Sequence, residues 1–252
     1  MISYLIATKR DLNVGFECLR FIEALGPHEH EFVICAPQYI IDQVENLETP
    51  NIKLVVDDKE SGSTYAFNKG YKHCSGEWIA VAVDDNILKI DINRLLILLE
   101  SQEVKEAEYQ VYNLGGGWFD NMRRNHNNEG LPNACWSSRW TTGVTNETFD
   151  YNYPVISFPL VSRKTVEEKF DGIFFNPSLK HHYVDHWLGA YIHKKVPHHN
   201  PNIYSPHSCW FQNWFGENNC IRTYDYVDGE TYVKLMKHLI QENPNCSYGV
   251  IL

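Results

Sequence analysis

The stretch "GSTYAFNKGYKHCSGEWIAVAVDDN" runs from Gly62 to Asn86. Gly62 breaks the chain, Ser63 or Thr64 can cap a helix, and Tyr65 to Cys74 carries apolar residues at helical spacing. "EWIAVAV", Glu77 to Val83, is an apolar strand that ends on two adjacent carboxylates, Asp84 and Asp85. Neighbouring carboxylates repel, so a fold that keeps them at a strand end either leaves them in water or supplies a cation.

Outward from this segment the same alternation repeats. "ISYLIAT" (Ile2 to Thr8), "EFVICAP" (Glu31 to Pro37) and "IKLVVDD" (Ile52 to Asp58) are short apolar runs that predict buried strands. "LNVGFECLRFIEALG" and "YIIDQVENL" between them have helical periodicity. Strands alternating with helices predict a mostly parallel sheet covered on both faces, in a single α/β domain. In open sheets of this kind ligands sit beyond the carboxyl ends of the strands, where Thr8, Asp57 and Asp84 fall.

After a helix at "INRLLILLESQ" the periodicity fades. From Glu108 to Tyr153 the chain is rich in Gly, Asn, Trp and Tyr, a composition suited to loops and irregular strands that form a binding surface. "VISFPLVSRKTVEEKF" predicts a strand and a helix capped near Ser162. "HHYVDHWLGAYIHKK" predicts another helix, "NIYSPHSCWFQNWFG" a strand with an aromatic loop, and "DGETYVKLMKHLIQENP" a C-terminal helix.

The 252 residues suffice for a large core, and the formal net charge of -10 argues against a nucleic-acid partner. A phosphorylated ligand must therefore be held by local groups. Seven scattered cysteines without CxxC spacing predict reduced thiols. With neither a secretory pattern at "MISYLIATKRDLN" nor an apolar run of membrane-spanning length, the expectation is a soluble cytoplasmic protein, at most peripheral to a membrane.

"GSTYAFNKG" followed by "SGEWIAVAVDDN" resembles the family 2 type of nucleotide-sugar glycosyltransferase with the fold called GT-A. There, G-x-x-x-A-x-N-x-G precedes G-E-[YW]-I and an Asp-rich DxD-type motif. The match in order and spacing extends from Met1 to about Asp91. The resemblance implies a domain whose residues 1–100 bind the nucleotide sugar and whose residues 101–252 bind a glycan or lipid-linked acceptor. It also implies Mn²⁺ or Mg²⁺, a hard cation that adjacent aspartates suit and that acts as a Lewis acid on a departing diphosphate. On this resemblance Asp85 ligates the metal and Asp84 lies near ribose or diphosphate.

Lys9, Arg10 and Lys69 can offset diphosphate charge, or serve as ordinary solvated cations. Asn68 can hydrogen-bond a ligand or its own loop, and Gly70 permits close backbone approach to a ligand or tight helix-to-sheet packing. By the same resemblance, Asp185 in "HHYVDHWLGAYIHKKV" takes the position of the catalytic base, with a helix N-cap as the alternative and Asp171 the next candidate. His207 lies about where relatives place a further metal ligand, with His198 and His199 as competitors. His181 and His182 are adjacent and cannot share a helix face to bind zinc. Trp118, Trp136, Trp140, Trp210 and Trp214 can stack on sugar rings or pack in the core.

Beside Val184, which replaces the usual first acid of the pair at Asp185, two further departures mark the chain. Asn86 stands where a third acid is commoner, and "CAPQY" replaces an Asp-Asp-Gly-Ser run that contacts the nucleobase, which leaves the base open. These departures keep a non-catalytic binding module on the same fold as a rival. A sugar nucleotidyltransferase needs a glycine-rich loop after its first strand, which "ATKRDLN" lacks.

Overall fold

Alternation at period two assigns the strand residues to two buried faces. Leu5, Val33, Val55, Ile79 and Val81 belong to one apolar cluster, and Tyr4, Ile6, Phe32, Ile34 and Ala80 to the other. A strand apolar on both sides must be covered on both sides. The computed structural model describes residues 1–9, 29–44, 51–82, 86–89, 92–114, 135–137, 140–141, 148–149, 153–156, 158–199, 209–212, 219–241 and 246–250.

Strands β1 (Ile2–Ala7), β2 (His30–Ala36), β3 (Ile52–Val56) and β4 (Trp78–Ala82) pair in parallel in the order β3-β2-β1-β4. Two later strands extend this sheet to six. β11 (Pro159–Ser162) lies antiparallel between β4 and β6 (Val111–Asn113), so it alone of the six runs against the others. Three small ladders stand apart from the sheet. They pair β5 (Asn86–Lys89) with β12 (Cys209–Gln212), β7 (Cys135–Ser137) with β10 (Tyr153–Val155), and β8 (Trp140–Thr141) with β9 (Thr148–Phe149).

Helices α1 (Gln38–Val44), α3 (Ile92–Leu99) and α4 (Gln102–Glu106) contribute Ile40, Leu95 and Val104 to one face. Helices α2 (Ser63–Tyr71), α5 (Arg163–Lys169), α6 (Val184–Lys195) and α7 (Asn219–Ile240) contribute Phe67, Val166, Trp187 and Met236 to the other. Among the described residues no helix is long and apolar enough to cross a membrane.

Several expectations are refined. The helix expected over "INRLLILLESQ" stops at Leu99, and Ser101 caps the short α4 by accepting from the Val104 amide. Ser162 caps α5 as expected, accepting from the Thr165 amide at 3.1 Å. Helix α7 starts at Asn219, well before the expected Asp228. The cysteines Cys35, Cys74 and Cys246 are free thiols, and burial pushes Cys35 and Cys74 up to about 12.

Gly76 of the "SGEW" run has a structural task at the amino end of the sheet. A Cβ there would stand 2.6 Å from the Ser3 nitrogen and from Ser3 Oγ. Beside it the buried Glu31 accepts from Ser3 Oγ (2.5 Å), Ser75 Oγ (2.8 Å), the Ser75 and Gly76 amides, and Lys53 Nζ (2.6 Å). Burial pushes this carboxyl up, but the bonds from Lys53, Ser3 and Ser75 outweigh it and hold the group at about 2. A depressed folded-state value gives stability that is complete above the ordinary glutamate value and is lost as pH falls through about 2. Glu31→Gln is expected to lower urea stability at pH 7 by about 3 kcal/mol, with the gap to wild type closing between about pH 4.5 and 2. A constant gap across that range would mean that the charge contributes nothing.

Candidate functional site

The chain winds outward from β1 to β2 and β3, then returns to place β4 on the other side of β1. In open α/β sheets such a reversal is where ligands bind, beyond the carboxyl ends of the strands. Thr8 follows β1, buried, with its amide donating to the Cys35 carbonyl at 3.1 Å. Asp57 follows β3, also buried. Its amide donates to Ala36, and its Oδ1 accepts from the amides of Lys59 (3.2 Å) and Glu60 (2.9 Å), which folds residues 57–60 into a turn.

The lysines expected to face a diphosphate both have carboxylate partners. Lys9 Nζ lies 3.2 Å from Glu60 Oε2, and Lys69 Nζ lies 2.5 Å from Asp58 Oδ1. The Asp58 contact raises Lys69 and lowers Asp58. Arg10, Asp84, Asp85 and His207 lie outside the described residues, as do Trp118 and Trp214. Asp84 and Asp85 fall between the end of β4 and the start of β5, whose Asn86 pairs with Gln212 of β12. Cys209, two residues beyond His207 in sequence, pairs with Lys89 at the other end of that ladder. Trp136, Trp140 and Trp210 lie on β7, β8 and β12.

Asn68 and Gly70 both join α2 to its surroundings. The Asn68 amide donates to the Phe175 carbonyl at 2.7 Å and accepts from the Phe175 amide at 2.8 Å. A Cβ on Gly70 would stand 2.6 Å from Leu5 Cδ1 and 3.3 Å from Cys35 Cβ, so the glycine lets the helix lie against β1 and β2. The bond that Asn68 makes is to a segment 107 residues away rather than to its own loop, and Gly70 packs tightly on the sheet.

The start of α2 is capped from another segment. Gly62 has φ 105, and a side chain there would collide with the Lys180 carbonyl. That carbonyl accepts from the Thr64 amide at 3.0 Å, while Ser63 Oγ and His181 Nδ1 share a hydrogen bond of 2.7 Å. A carbonyl thus does what a Ser63 or Thr64 side chain was expected to do.

Asp185 lies in the first turn of α6, five residues beyond Lys180. The N-cap is Tyr183, in the left-handed region at φ 64, so Asp185 does not hold the cap position. Left-handed backbone costs a non-glycine residue about 1–2 kcal/mol, which the surrounding contacts must supply. Asp185 is half-buried, and its Oδ1 accepts from the His186 amide at 2.9 Å. The alternative Asp171 is exposed, in the left-handed turn after α5. His199 bonds the Val111 carbonyl through Nε2 at 2.7 Å, on the β6 side of the sheet.

Two features had no local signature in the sequence. Buried Asp228 of α7 accepts from the amides of Lys180 (2.8 Å), His181 and His182 (both 2.7 Å). Beside α6, Tyr153 Oη lies 2.5 Å from Tyr232 Oη and 3.2 Å from His186 Nδ1, and Tyr183 stacks on Tyr232 with centroids 5.3 Å apart. Burial lowers His186 and raises Tyr232.

No family model and no curated protein matches this chain. Solved structures do match. Residues 1–349 of S. aureus TarS in complex with UDP-GlcNAc align with a TM-score of 0.55 and 12% identity, over 95% of this chain and 69% of that one. The mannosyltransferase PcManGT from Pyrobaculum calidifontis, in complex with GDP-Man and Mn²⁺, gives 0.53 and 13%, over 92% and 69%. TarS 1–349 in complex with UDP gives 0.50 and 14%, over 83% of this chain and 59% of that one, so this chain spans under two thirds of that structure. The fold is therefore the GT-A-like α/β fold of nucleotide-sugar glycosyltransferases.

Burial, with His182 beside it, lowers His181 to about 4. A lowered folded-state value means that its stability is complete above the free-histidine value of about 6.5 and is lost as pH falls toward 4. Between pH 7.5 and 5 the wild type is expected to lose about 2 kcal/mol more stability than His181→Asn, measured by urea unfolding. Parallel losses would show that His181 is not held neutral.

Proposed function

We propose that this protein is an inverting glycosyltransferase that moves a sugar from a nucleotide-sugar donor to a glycan or lipid-linked acceptor. The observation that carries the reading is the bond between Thr64 and Lys180, which joins the start of α2, on the donor side of the fold, to the segment leading into Asp185. The shared fold supports it, and so do the donors named for TarS and PcManGT, UDP-GlcNAc and GDP-Man.

In this reading Thr8, Lys9, Arg10, Asp57 and Asp84 line the donor side, while Gly70 lets α2 lie on the sheet and Asn68 ties that helix to Phe175. Asp185 takes the proton of the acceptor hydroxyl as that oxygen bonds to the anomeric carbon. The anomeric C–O bond breaks at the same time, and its electron pair leaves with the nucleoside diphosphate. Two adjacent carboxylates with an imidazole nearby in role are donors that suit Mn²⁺ or Mg²⁺, so Asp85 and His207 would hold the ion, which supplies Lewis-acid charge at the diphosphate when bound. Such charge would add to what Lys9 and Lys69, which face Glu60 and Asp58, can offer a diphosphate.

Asp185→Asn keeps size and shape but cannot accept a proton. Its donor affinity is expected to stay within twofold of wild type while single-turnover transfer falls by about two to four orders of magnitude. Unchanged transfer removes Asp185 as the base, and a joint fall in affinity and transfer assigns it to donor or metal binding. Removing the metal with a chelator, or Asp85→Ala, is expected to weaken nucleotide-diphosphate binding by at least tenfold in calorimetry. Equal affinity in chelator and Mn²⁺ would give the diphosphate to Arg10 and the lysines instead. Wild-type protein that binds donor yet releases no nucleoside diphosphate, with or without acceptor, is a binding module.

A further inference from the structure

A carboxylate as deeply buried as Asp228 needs several donors in place of water. Its donors are three consecutive main-chain amides, those of Lys180, His181 and His182, all within 2.8 Å. Successive amides aimed at one anion force the backbone into a concave turn. The next residue, Tyr183, takes the left-handed conformation, and α6 begins at Val184.

The turn faces two ways. Its Lys180 carbonyl receives the Thr64 amide and its His181 ring meets Ser63, both at the start of α2. Its other end delivers Asp185. Because Tyr183 is not a glycine, the left-handed geometry at the cap is held by the contacts around it, and Asp228 supplies the charge-assisted ones. Tyr232, one turn further along α7, stacks on the Tyr183 ring.

We propose that Asp228 is a positioning residue that sets the placement of Asp185 relative to the start of α2, acting through residues 180–183. The functional part rests on the transferase reading given above. Asp228 touches neither donor nor acceptor in this role, so its loss should slow the chemical step while sparing donor binding.

The test compares wild type with Asp228→Asn and Asp228→Glu by thermal melting, by amide NMR, and by turnover of UDP-GlcNAc or GDP-mannose with Mn²⁺. The amide side chain of asparagine points a donor at donors, so Asp228→Asn is expected to lower kcat by about 10- to 100-fold with the donor KM within twofold. Asp228→Glu restores the charge and is expected to recover part of that loss. The amide signals of Ser63, Thr64 and Asp185 should shift in Asp228→Asn together with those of residues 180–182. A lowered melting temperature with kcat intact, or signals that move only at residues 180–182, would overturn the proposal. Should Asp228→Asn fail to fold, Asp228→Glu decides by NMR, because its longer side chain must displace the three amides. Unmoved signals at Ser63, Thr64 and Asp185 would then count against the role. A wild type that turns over neither donor defeats the transferase reading for these donors, and the amide shifts still decide whether Asp228 governs the placement.

Discussion

The hydrogen bond from the Thr64 amide to the Lys180 carbonyl is the contact on which the rest of the site depends. A single amide-carbonyl bond contributes only about 1 kcal/mol net. Its force lies in where it sits, between a helix start at the rim of the parallel sheet and the segment that begins α6. Gly62, at φ 105, is what lets that carbonyl approach. The bonds around it are of the same modest kind: Asn68 with Phe175, Asn176 with the Tyr248 carbonyl, and Ser178 with the Val250 carbonyl. Together they tie the loop between α5 and α6 to α2 and to the segment 246–250.

Two buried carboxylates show how an acidic protein tolerates negative charge inside. Glu31 at the amino end of the sheet collects hydroxyls, amides and one lysine, and Asp228 on α7 collects three amides. In each case the carboxylate joins segments distant in sequence, whereas the buried Asp57 accepts from the amides of Lys59 and Glu60 just beyond it. At the carboxyl edge Lys9 and Lys69 instead meet the exposed carboxylates of Glu60 and Asp58. Exposed pairs of that kind exchange partners with solvent at little cost.

The first half of the fold was legible because both faces of β1, β2 and β4 are buried, which leaves continuous apolar runs, and because glycines mark the turns. The cap on α5 was legible too, since Ser162 bonds an amide three residues on. The cap on α2 was not, since its acceptor belongs to Lys180, which no local pattern announces. Asn68 and Gly70 have partners, Phe175 and Leu5, that lie far from them in sequence, so their packing could not be read locally. Asp228 left no trace, because its partners lie 46 to 48 residues away and are main-chain atoms that every residue possesses. Position in sequence pointed to Asp185, but the left-handed Tyr183 that introduces it belongs to the tertiary structure alone.

The reversed strand β11 has a consequence for how the chain must be handled. β4, "WIAVA", is buried on both faces and pairs with β1 on one side and with β11 on the other. Some 76 residues of chain separate the end of β4 from the start of β11, so this edge stays open until the polypeptide has passed Pro159. An uncharged, proline-free apolar strand with free amides and carbonyls is a template for other strands. A fragment cut anywhere between the two, however well its first four strands had formed, would expose that template to its neighbours. Separate expression of the two halves is therefore a route to aggregates, and ribosomal synthesis passes through the same vulnerable interval each time the protein is made.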